Sequence, residues 1–142
     1  MKRLRRFLEL SAQERCLVVR AVLVMTAFRL GLRLLPLSRL LAFTRPAGHD
    51  LPKAGRADPA QIAWAVRVAS RYVPRATCLV QALTAKALLE NVGHSAVLHI
   101  GVAKARDDRL EAHAWVECFD TVISGGSDVA RYTPMLSVEW RR

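Results

Sequence analysis

Between Ala12 and Leu34 apolar residues fill most positions of AQERCLVVRAVLVMTAFRLGLRL, and Arg15, Arg20, Arg29 and Arg33 form a polar stripe among them. That pattern predicts a helix over Ala12–Leu34. Ser11 and Glu14, three residues apart, make a capping box at its start, and Pro36 withholds a backbone donor at its end. TRPAGHDLPKAGRADP then carries three prolines and two glycines and reads as an exposed connection. Asp58 as cap, Pro59 in the first helical position and Gln61 completing a second box predict a helix over Pro59–Tyr72, closed off by Pro74. Thr77 can cap a further helix, CLVQALTAKALLENVG, that ends at Gly93 in the left-handed position glycine favours.

Beyond Gly93 the period shifts toward alternation. SAVLHIGVA is rich in β-formers, RDDR is a turn, EAHAWVEC alternates, Phe119 and Asp120 turn again, and TVIS begins a third short strand. The residues after Gly126 are too irregular to assign. Helices followed by an antiparallel meander give an α+β fold: a basic amphipathic helical region over 1–45, a connection over 46–58 and a core over 59–142.

Composition narrows the possibilities. A chain of 142 residues with 52% hydrophobic content fits one domain that folds without metal or disulfide staples. Cys16, Cys78 and Cys118 are odd in number and widely spaced, with no C-x-x-C pair, which fits a reducing, cytoplasmic setting. Glu9, Glu14 and Arg15 interrupt what a signal peptide would keep apolar, and Arg20 interrupts the longest apolar stretch, so neither a secretion signal nor a spanning helix is expected. The net charge of +10 is concentrated: residues 1–50 hold ten Lys/Arg against Glu9, Glu14 and Asp50, a local +7.

Two residues carry candidate chemistry. Cys78 would open the first turn of its helix, where unpaired N–H groups and a partial positive charge favour a thiolate. Alone, a cysteine among Leu79, Val80 and Leu83 reads as a small buried hydrophobe. His113 lies on an alternating strand and shares a face with Trp115 and Glu117. A lone strand histidine is ordinarily a packing or surface residue. A cysteine upstream on a helix N-terminus and a histidine downstream on a strand, however, is the order in which imidazole can take the thiol proton and return it to a leaving amine. The backbone N–H of Cys78 would be the natural oxyanion donor.

CLVQALTAKALLENVGHSAVLHIGV followed by HAWVE resembles the transglutaminase-like core of the B2 leader peptidases of lasso-peptide biosynthesis. The similarity covers roughly residues 72–136, and the basic, leucine-rich N-terminal helix is similar in style. The resemblance implies a papain-like Cys-His-Asp triad that cuts the leader from a ribosomally made precursor peptide. It also implies a small partner protein that presents the leader, and an ATP-dependent cyclase that closes the freed core peptide. The acid of such a triad would sit on the strand after the histidine strand, where this chain has VISGGSD and no simple match. If Phe119 and Asp120 form a two-residue loop, His113 faces Gly126 and Asp128 lies diagonally on the same face. Asp120, seven residues along, is about 23 Å away at ~3.3 Å per residue and reads better as a turn residue. Asp128 is therefore the candidate acid, giving Cys78, His113 and Asp128.

Other readings follow from the same residues. A pI near 10.8 supplies nonspecific affinity for phosphates, but the arginines are spread along an apolar helix, aromatic residues are few and no nucleic-acid motif appears, so no nucleic acid is expected as a partner. The same acyl-enzyme chemistry with an amine acceptor would make a transglutaminase-like acyltransferase. Cys78, His94, His99 and His113 lack tight ligand spacing, so neither metal nor other cofactor is expected. The basic N-terminal helix could dock an acidic leader, the leader-binding partner or a membrane surface.

Overall fold

The computed structural model describes residues 5, 7–45, 57–126 and 128–140. Helix α1 spans Ala12–Leu34, as its pattern predicts. Its capping box is reciprocal: Ser11 N–H donates to Glu14 Oε2 at 2.8 Å and Glu14 N–H to Ser11 Oγ at 3.2 Å. The Ser11 backbone N–H first, and the Ser11 side chain after it, hold the Glu14 carboxyl below the usual carboxylate range. Past Pro36 a short α2, Leu37–Ala42, folds back, and its buried Leu40 lies against Gly31, where a Cβ would meet Leu40 Cδ2 at 2.7 Å. Of the connection expected over 46–58, only Ala57 and Asp58 fall within the described residues.

Helix α3, Pro59–Ala69, has the predicted Asp58/Gln61 box, with bonds of 2.8 and 3.0 Å. It stops three residues short of Tyr72, and the chain turns through 70–73 ahead of Pro74, whose ring disfavours helix in the residue before it. Helix α4, Cys78–Asn91, starts at Thr77, whose Oγ1 accepts from Val80 N–H at 3.4 Å. It ends in a left-handed Gly93 (φ 90), and His94 N–H reaches back to Leu89 O at 2.9 Å. Residues 82–90 of α4 are all buried, so this helix is the centre of the molecule.

Strand β1, Val97–Lys104, pairs with β2, Leu110–Cys118, placing Gly101 opposite His113 and His99 opposite Trp115. Phe119 and Asp120, with φ of 50 and 56, form the predicted two-residue loop into β3, Thr121–Ser124. A fourth strand, β4, Thr133–Val138, adds to the far side of β1 and completes an antiparallel sheet ordered β3-β2-β1-β4. The segment between β3 and β4 includes a single helical turn, Val129–Arg131, and carries the chain from one sheet edge to the other.

One face of the sheet, through Leu98, Ala114, Val116 and Cys118, shares a continuous core with the helices. Val18, Met25 and Phe28 of α1 belong to it, as do Ile62, Val66 and Leu83. Within this core Lys86 Nζ lies 3.1 Å from Glu90 Oε1, with both side chains fully buried. Lys86 also donates to Ala96 O, and Glu90 Oε1 accepts Ala96 N–H at 3.1 Å, fastening the entry to β1 onto α4. Burial pushes the Lys86 ammonium pKa down, opposed by the neighbouring Glu90 charge.

Candidate active site

Because strand side chains alternate, the face opposite the core carries His113, Trp115 and Glu117 of β2 and His99 of β1. Trp115 is only 3% exposed although it points away from the helices. Its ring stacks on His99 at 5.2 Å, with the His113 ring 6.3 Å away and Tyr132 at 6.4 Å. Two glycines make the room: a Cβ at Gly101 would come within 2.9 Å of the indole, and one at Gly125 within 2.3 Å of Trp115 Cβ. Trp115 Nε1 donates to Glu117 Oε1 at 3.1 Å, while His99 bonds Ser137 Oγ at 2.8 Å and lies 3.5 Å from Glu117 Oε2.

His113 is held from two sides by the segment that follows β3. Its Nε2 lies 2.6 Å from Gly125 O, and the Tyr132 ring sits 4.9 Å from the imidazole. A carbonyl oxygen brings no proton, so the bond requires hydrogen on Nε2. In the neutral ring that leaves the lone pair on Nδ1, the form in which imidazole can accept a proton from a thiol. Arg131 braces this segment through Glu111, and Tyr132 Oη lies 3.5 Å from the same carboxylate.

Cys78 stands in the first turn of α4, half-buried and packed against the core. The first internal bond of the helix runs from Gln81 N–H to Thr77 O at 3.0 Å, so the Cys78 and Leu79 N–H groups precede the bonded ladder. The Gln81 side chain donates to Ala76 O at 2.8 Å and fastens the loop that leads into this turn, where Arg75 has φ 56. Cys118 is a different kind of thiol: buried in the core, with its pKa pushed up by that burial.

The three residues singled out from sequence are not joined directly. Among the described residues no hydrogen bond links Cys78 to His113, or either one to Asp128. α4 does pack along β2, the strand that carries His113. The Asp128 carboxylate is 77% exposed and bonds Arg131 at 3.4 Å. Asp120 occupies its turn. The imidazole partner is a backbone oxygen, which no search for acidic side chains finds. His99 was readable from the β1–β2 register, which sets it beside Trp115; Tyr132 lies in the segment whose irregular sequence gave no register at all. Among the described residues no group of three or more His, Cys, Asp or Glu is placed to hold a metal.

Residues 22–137 match the family model of the Transglutaminase-like superfamily. No curated protein and no solved structure matches the chain significantly.

Proposed function

The chain belongs to the transglutaminase-like superfamily, whose chemistry is of the cysteine peptidase or acyltransferase type, and from that premise we propose that it is a cysteine peptidase. Its substrate in this reading is a ribosomally made lasso-peptide precursor, from which it removes the leader. Cys78 is the nucleophile and His113 the base. The His113 Nε2 to Gly125 O bond of 2.6 Å carries the reading, because it leaves Nδ1 as the proton acceptor on a strand packed beside the helix that Cys78 opens.

The Cys78 proton passes to His113 Nδ1 as Sγ adds to the scissile carbonyl, and the Cys78 N–H faces the developing oxyanion. The leaving amine takes the proton from the imidazolium. Water, deprotonated by the same nitrogen, then releases the leader acid from the thioester and restores the thiol. The thiol and imidazole must draw together when substrate binds, as catalytic bonds that are long in a free enzyme do. Gly125 O holds the ring through these steps, the role for which sequence suggested Asp128.

The test is mass spectrometry of a precursor peptide incubated with the protein and the leader-binding partner. Cys78→Ala and His113→Ala should each lower cleavage by at least about a thousandfold. Equal processing by wild type and Cys78→Ala would refute the reading. An amide to an added amine, in place of the free leader acid, would identify an acyltransferase.

A further inference from the structure

Helix α1 is apolar on two opposite sides, and the core explains only one of them. Val18, Ala21, Met25 and Phe28 are buried. At about 100° per residue, Cys16, Val19, Leu23, Ala27, Leu30 and Leu34 fall within roughly 40° of a line on the far side. There Val19 is 46% exposed, Leu23 65%, Leu30 50% and Leu34 82%. From Val19 to Leu34 the ridge runs about 22 Å at ~1.5 Å per residue. Side chains of this size in one row are more than the scattered surface leucines that folded proteins tolerate.

The charges beside the ridge say what covers it. Arg20 borders it on one side, Arg15 and Arg33 on the other, and the helix has a single acid, Glu14, in its first turn. Residues 1–50 carry seven of the ten net positive charges. A second copy of this helix laid along the ridge would set arginine against arginine with no acids between them. An anionic lipid surface accepts both features: leucines enter the acyl boundary while arginine stems lie along it and raise their heads to the phosphates. No described helix is long and apolar enough to cross a membrane, so this contact lies along the surface.

We propose that the outer face of α1 seats the protein on an anionic phospholipid surface, with the ridge from Val19 to Leu34 in the interface and the flanking arginines on lipid phosphates. This inference is independent of the chemistry at Cys78 and His113. The full chain should co-sediment with vesicles containing phosphatidylglycerol and bind phosphatidylcholine vesicles at least about tenfold more weakly. Arg20→Gln with Arg33→Gln should weaken binding to the anionic vesicles roughly thirtyfold. Leu23→Glu with Leu30→Glu, both at exposed positions and checked by circular dichroism, should weaken it more than about tenfold at unchanged fold. Failure of the folded wild type to bind anionic vesicles would overturn the proposal, as would binding that the leucine variant retains in full. A ridge that instead pairs with a second copy, or captures an acidic protein in the absence of lipid binding, would also overturn it.

Discussion

A methyl group at position 125 would come within 2.3 Å of Trp115 Cβ, and the backbone there has φ +123, a conformation L-residues rarely adopt. Glycine is thus required at the residue whose carbonyl holds His113. In ¹⁵N-labelled protein in alkaline buffer, the His113 ring should appear as the Nε2–H tautomer, and Asp128→Asn should leave that pattern unchanged. A switch to the Nδ1–H form in that variant would identify the carboxylate as the ring's partner. The places of Cys78 at a helix start and of His113 on a strand were legible because helix starts and strand alternation are written in side-chain types. Gly125 O was not, since a backbone acceptor has no residue-type signature, and the doublet Gly125-Gly126 announces only conformational freedom.

At the scale of elements, caps and turns translated directly. The boxes at Ser11 and Asp58, the Thr77 cap, the Gly93 terminator and the Phe119-Asp120 loop all stand where local chemistry puts them. The caps at Asp58 and Thr77 differ in quality. Asp58→Ala removes the 2.8 Å bond from Gln61 N–H to Asp58 Oδ1 and should cost about 1 kcal/mol in urea denaturation. Thr77→Ala loses one bond of 3.4 Å and should cost about half as much. The reverse order would mean that the Thr77 methyl or the Cys78 turn contributes through packing. β4 escaped the pattern for a physical reason: TPMLSV lies at the sheet edge with nearly every side chain exposed, so no alternation is imposed on it. Its Pro134 is tolerated because an edge strand has a side that need not donate. A bulge in β2–β3 between Val116 and Glu117 shifts the register by one residue, so the pairing of His113 with Gly126 counted from the Phe119-Asp120 loop does not hold.

For the molecule as a whole, the hydrophobic pattern foretold one α+β core but not the ion pair inside it. Lys86 and Glu90 look in sequence like an ordinary solvent-facing i,i+4 pair; only the packing of α4 on all sides buries them. Glu90→Gln should destabilise the fold by about 3–5 kcal/mol near neutral pH, because a buried ammonium loses its counter-charge. Burial already lowers the Lys86 pKa, and loss of Glu90 lowers it further, so the unfolded state binds the proton more tightly than the folded state does. Stability of the variant should therefore rise with pH toward the ordinary lysine value of 10.5. Denaturation midpoints that stay flat across that window would show that the lysine is not the cause.

The bond from Trp140 Nε1 to Thr44 Oγ1, 3.0 Å long, joins residues 96 apart in the chain, whereas His113 and Gly125 are separated by 12. In kinetic terms these are contacts of different order. Short chain closures form early and long ones late, so the imidazole can acquire its carbonyl partner while Thr44 and Trp140 are still searching for each other.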